Sequence, residues 1–360
     1  MSFSRSLAAA ALLSLGALLP AGQASAADLA PFPVKAKPLI DVPFFLVNDN
    51  RVTYSYIFTG TDPGVFSVRP DGSVNGKTAK SVYSFTHFDV WAYGTNFFTI
   101  SAFKSDRNDP ASPCTNAGTI FGAPANCAGA TEIYGLIRST FGFNEIFNTK
   151  AFTYGFLRNV SFEIGADANT ENNFLAPAKR DIVAGLQFAF DLPYKGFFNV
   201  APLYYKEINH NAFLQCGLFG PGVPGVNCLN NGNTEFKGTW AVEINYYMDL
   251  GFLPPSLDYF SVSGRAGFYG KKGNEVAPLA TGVSTAVEIN SEPVRLTFDA
   301  SKAMFGPKYS HNVDVWVAYR YWKNKFGLDA ANSAVCNITP GRSNGSCTEE
   351  SLYSGITVKF

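Results

Sequence analysis

Glu132, Tyr134 and Arg138 share one side of a two-residue alternation, and Ile133 and Ile137 share the other. Glu163 and Asp167 return in the same way against Val160, Phe162 and Ile164, Glu243 against Val242 and Ile244, Arg265 against Val262 and Phe268, and Arg320 and Trp322 against Val317 and Tyr319. A period of two places such residues on one face of a strand. Several such strands side by side would surround a common space with carboxylates, guanidinium groups and aromatic rings. Rings of this kind stack flat solutes, for about 1–3 kcal/mol per base in proteins that bind single-stranded nucleic acid. Carboxylates and amides can hold hydroxyl groups. For any one of these charges the plainer alternative is an ion-pair network that only braces the interior. The row Tyr83, Phe85, His87, Asp89 and Trp91, opposite Val82 to Val90, is assigned to the same inner wall.

The elements that must position these side chains are strands. Phe (33), Tyr (17) and Gly (33) dominate beside 16% charged residues, a composition for pleated strands and tight turns. Segments of about ten residues with period two recur from Val52–Phe58 to the closing "LYSGITVKF", and with "FFNVAPLYYKEIN" at 197–209 they number twelve. Short connections near 92–95, 144–150, 192–196, 250–257 and 302–311 alternate with long polar ones near 59–80, 105–131, 168–178, 211–235, 271–283 and 325–350. That asymmetry predicts an all-β fold, a twelve-stranded antiparallel transmembrane β-barrel with short periplasmic turns, long outer loops, an apolar lipid face and a polar interior. A bilayer tolerates no unpaired strand edge, so the sheet must close. A soluble β-sandwich also alternates, but explains poorly why one face carries charges of both signs and the other is aromatic almost to the strand ends.

The start of the chain sets the compartment. Arg5, an apolar run from Leu7 to Leu19 and Ala24-Ser25-Ala26 read as a signal peptide over 1–26. Residues 27–46, with four prolines and no period, read as a periplasmic arm, leaving 47–360 for the barrel. No stretch offers the roughly 18 apolar residues of a membrane helix. Twenty-eight basic and 28 acidic residues cancel, which removes the electrostatic case for nucleic acid. Bacterial outer-membrane lipid is the expected surroundings.

Six cysteines fall two to a long loop: Cys114 with Cys127, Cys216 with Cys228, and Cys336 with Cys347. Fifteen connectivities are possible. Local pairing is the economical one in an oxidising compartment, where it would stiffen the mouth. No CxxC is present and His87, His210 and His311 have no ligand spacing, so neither metal nor cofactor is expected. "GPGVPG" at 220–225 matches GxGxxG in form, but lies between two cysteines and opens no helix. A twelve-stranded phospholipase places a histidine two residues before a serine. Here those positions read His87-Phe88-Asp89 and His210-Asn211-Ala212, which gives no sign of an enzyme.

"FTHFDVWAYGTNFF" at 85–98, "FKSD" at 103–106, "FDLPYKGFFNVAPLYYKEINHN" at 190–211 and "YWKNKFG" at 321–327 resemble the Tsx-like nucleoside-specific channel family, including the OmpK group. The three cysteine-bearing loops and the Pro-rich arm depart from it. The resemblance implies a monomeric barrel that passes nucleosides and deoxynucleosides by diffusion; strand parity then makes Phe85, His87, Asp89, Glu132, Tyr134, Arg138, Glu163, Glu243, Arg265, Arg320 and Trp322 the expected solute-contacting wall. The last strand, with Tyr353, Ile356, Val358 and terminal Phe360, resembles the signal read by the barrel-insertion machinery. Another small solute, or a surface for adhesion or phage docking with little transport, are the alternatives.

Overall fold

The structure, a computed structural model, describes residues 44–111, 119–120, 123–124, 127–172, 178–210, 216, 222–273 and 283–360. The expected signal peptide, nearly all of the arm, and Cys114 lie outside them. Twelve long strands run in chain order: β1 Phe45–Gly60, β2 Thr78–Trp91, β3 Gly94–Ser105, β4 Thr131–Gly142, β5 Leu157–Glu171, β6 Ala178–Leu192, β7 Gly196–His210, β8 Thr239–Asp249, β9 Phe260–Tyr269, β10 Glu288–Asp299, β11 Val313–Lys323 and β12 Thr348–Lys359. Each pairs antiparallel with the next, and β12 pairs back onto β1, with Val52 opposite Val358 and Ile57 opposite Tyr353. The sheet is therefore closed. Among the described residues no helix is long and apolar enough to cross a membrane, so any crossing is made by strands.

Side chains directly opposite one another share a face, which lets the facing of each row be read from its register. Tyr54 lies opposite Tyr83, both well exposed, while Ser55 lies opposite Val82, both buried. The exposed row continues through Val52, Phe58, Ile100, Ile133, Ile137, Ile164, Ile182, Tyr204, Trp240, Val315, Val317, Leu352 and Ile356. This outer wall is apolar all round. Aromatic pairs thicken it near the short turns, with Trp91 against Phe44, Tyr93 and Phe141, and Phe190 against Phe198. Tyr93, Phe98 and Phe198 stand in this girdle, whereas Phe97 and Phe197 face inward, opposite Arg138 and Tyr247.

Inside, two apolar clusters fill part of the volume. One joins Ile57, Val82, Phe103, Trp316, Ala318 and Tyr353; the other joins Val183, Ala201, Leu203, Tyr205, Ala241 and Tyr269. An interior partly occupied by side chains suits twelve strands, a number between barrels that side chains fill and barrels with a wide aqueous channel. A third cluster sits among the long loops: Phe236, Val283 and Leu328 pack on the bonded pair Cys336–Cys347. Cys216 and Cys228 are also bonded to each other. Cys127 is disulfide-bonded as well.

Candidate functional site in the barrel interior

Glu132, Tyr134 and Arg138 on β4, Glu163 and Asp167 on β5, Glu243 on β8, Arg265 on β9, and Arg320 and Trp322 on β11 all stand in inward rows, as the registers with buried neighbours require. Arg138 is the hub. Its Nε and Nη2 donate to Glu243 at 2.9 and 2.7 Å, and its Nη1 donates to Asp167. Glu163 lies 4.0 Å away. Three strands, β5 to β7, lie between β4 and β8 in the sheet, so this fork spans the interior as a chord. Tyr134 donates to Asp167 at 2.9 Å and Tyr269 to Glu243 at 3.0 Å, placing a tyrosine at each flank of the bridge. Gly165 makes room for it. A Cβ there would lie 2.5 Å from the Arg138 side chain and from the Ile137 carbonyl.

Toward the long loops the charges are again matched. Lys179 meets Asp181 at 3.1 Å, Lys272 meets Glu207 and Glu288, and Arg320 meets Glu349. Arg320 and Lys325 both lie over the Trp322 ring, 3.6 and 3.3 Å from its centroid, which leaves that ring poorly placed to stack a solute. Toward the short turns the wall changes to small hydroxyls that bridge neighbouring strands: Thr53 with Thr357 at 2.9 Å, Ser84 with Ser101 at 2.8 Å, Thr86 with Thr99 at 3.2 Å and Thr95 with Thr140 at 2.7 Å.

One row is a correction. Tyr83, Phe85, His87, Asp89 and Trp91 belong to the outer face, because Tyr83 pairs with Tyr54, Phe85 with Val52 and His87 with Asn50 and exposed Phe98. Phe85, His87 and Asp89 therefore do not line the interior. The polar members are satisfied along the wall instead. His87 meets Asn50 at 2.8 Å and Asp89 at 3.1 Å, Asn96 donates to Asp89 at 2.9 Å, and Ser139 donates to Asn96 at 2.7 Å. This chain lies two to four residues from the Trp91 girdle, where the bilayer gives way to water. The signal that could have decided the row was its greasier side: three aromatics stand beside His87 and Asp89, against valines, Ser84, Thr86 and Phe88 on the other.

Several inward residues escaped the sequence. Lys179, Asp181, Glu207, Tyr205, Glu288, Glu292, Arg295, Trp316 and Glu349 belong to the same networks. Glu288 and Glu292 were hidden by a break in the alternation of β10, whose register shifts between Ser291 and Val294, across Pro293. Outside the wall, Asp299, His311 and Asp314 bring one ligand atom each to within 4.8 Å of one another. Asp299 already accepts from the Lys302 and His311 amides at 2.8 Å and from Ser310 at 2.6 Å, and so clasps the turn between β10 and β11.

An apolar, aromatic outer wall around a charged inner wall, on a closed antiparallel barrel, defines an outer-membrane β-barrel. No protein-family model matches the chain, and no curated protein sequence matches it. Solved structures similar to it include an outer membrane channel from Pseudomonas putida F1, with TM-score 0.43, 10% identity and coverage of 89% of this chain and 98% of that one. OccK1 (OpdK) of Pseudomonas aeruginosa gives 0.31 at 8% identity over 87% and 98%, and the P. putida toluene transporter TodX 0.34 at 7% over 87% and 89%. At such TM-scores these likenesses do not say what, if anything, crosses this barrel.

Proposed function

We propose that the barrel is an outer-membrane channel through which small solutes diffuse, with nucleosides and deoxynucleosides as its solutes. The observation that carries this reading is the Arg138–Glu243 bridge, a charged bar across the interior with Tyr134 and Tyr269 at its flanks. It narrows the interior to a size at which the wall can discriminate. The half-buried Tyr134 beside it can stack a base, and Gln187 on β6, which donates to Glu163 at 2.7 Å, can hold a sugar hydroxyl. Contacts must stay weak enough for release if flux is to continue. Planar-bilayer recording tests the reading. Adenosine and thymidine at millimolar levels should reduce the single-channel current; an unchanged current beside block by unrelated solutes would refute nucleoside selectivity.

The loop cluster favours a second reading. A rigid cap with its own apolar core and a disulfide suits a surface for adhesion or phage docking. Exchanging the loops at 211–238 and 324–347 for short turns should abolish docking while leaving solute flux intact. If flux disappears with them, the cap belongs to the channel.

A further inference from the structure

Arg265 is unlike every other inward lysine or arginine on the barrel strands. Arg51, Lys80, Arg138, Lys179, Arg295 and Arg320 each hold a carboxylate, as does Lys359. Among the described residues Arg265 has neither an ion pair nor a hydrogen bond. Its row neighbours across the sheet are Asn245 on β8 and Glu292 on β10. Glu292 is taken by Arg295 at 2.6 Å, and Glu243, one pair further along β8, is taken by Arg138 and Tyr269. The Tyr269 ring covers Gly267, where a Cβ would stand 2.6 Å from the phenol oxygen, yet Arg265 itself is exposed although its strand position is at mid-height of an inward row. Its exposure is to the interior.

A planar guanidinium with five unshared donors matches an oxyanion two bonds at a time. Carboxylates outnumber cations on the surrounding wall, so a free inorganic anion is repelled from it. A solute whose negative charge sits at one end of a flat body is not, because the body can rest on the half-buried Tyr134. Glu292, Tyr134, Tyr353 and Tyr269, in that order, act on Arg265 electrostatically, and Glu292 does so without a hydrogen bond to it.

We infer that Arg265 is a binding position for the anionic end of an aromatic solute, a carboxylate or a phosphomonoester. This rests on the reading of the barrel as a channel for small solutes and adds to the neutral nucleosides a second, anionic solute class. The experiment compares matched pairs as blockers of the single-channel current: benzoate with benzamide, and uridine monophosphate with uridine. The anionic member of at least one pair should block about tenfold more strongly, and Arg265→Gln should bring both members of that pair to the same potency. Preference in the first pair alone identifies a carboxylate; preference in the second alone identifies a phosphate. Equal block within both pairs, or a preference that survives Arg265→Gln, overturns the inference. Arg265→Lys, which keeps the charge and loses the fork, should retain part of the preference. Potassium chloride conductance in the same bilayer separates the two failures. A conducting pore without anion preference leaves the channel reading intact, whereas no conductance at all removes it.

Discussion

Arg138 concentrates more of the interior's electrostatics than any other side chain, and its loss should be felt twice. Arg138→Ala strands the buried Asp167 and the half-buried Glu243, each acceptor-only when ionised. Removing one partner of a buried pair costs about 3–5 kcal/mol. Urea unfolding in detergent should register a loss of that order, and the open-pore conductance should rise as the bar is removed. Arg138→Met with Glu243→Leu should recover most of the stability, since neither charge is then left alone. A loss under 1 kcal/mol for the single variant would mean that the fork is not made. At the periplasmic side, the hydrogen bond from His311 to Asp314, with Asp299 nearby, raises the imidazole pKa above its ordinary 6.5. A raised folded-state value stabilises fully below about pH 6.5 and is lost as pH climbs through the raised value. Amide protection in the turn 300–312, taken as the exchange rate relative to that of an unfolded peptide at the same pH, should therefore fall as pH rises above 6.5, and His311→Gln should remove that fall. A flat protection profile in the unaltered protein would contradict the pairing.

The twelfth strand shows how one element closes the molecule. Gly355 lies opposite Trp316 on one side and Ser55 on the other, and a Cβ there would stand 2.5 Å from the indole and 2.7 Å from Ser55. Trp316 covers the glycine, and Arg295 in turn lies 3.9 Å over the indole. Gly355→Leu should cost about 1–3 kcal/mol by overpacking, seen as a lower temperature at which the barrel loses its compact migration on a gel. An unchanged transition would place Trp316 elsewhere. All twelve strands were legible in the sequence because lipid outside and charge inside impose a strict period of two on nearly every one. The facing of β11 and β12 follows at once from Val315, Val317, Leu352 and Ile356. The facing of β2 did not, because His87 and Asp89 look like interior residues. The register of their row, with Phe85 against Val52 and Tyr83 against Tyr54, is a long-range property, and it assigns them to the outside. Likewise Lys272, a loop residue, reaches Glu207 and Glu288 on two strands, a convergence that no local pattern records.

Taken as a whole, the molecule is three zones along one axis. The end near the short turns mixes small hydroxyls with Phe97, Phe197 and the ion pairs of Asp49 with Arg51 and Lys359, a charged bar and two apolar clusters occupy the middle, and a loop cluster with a disulfide stands over the other end. The central claim is that the charged rows enclose the solute path and the aromatic rows meet lipid. Single cysteines read by a charged, membrane-impermeant thiol reagent during bilayer recording test it most directly. At Phe97 and Arg265, exposed in inward rows, the reagent should cut the current in one step; at Tyr83 and Tyr204, exposed in outward rows, it should leave the current unchanged. A current that falls on modification at 83 or 204, and not at 97 or 265, would turn the barrel inside out and end the account.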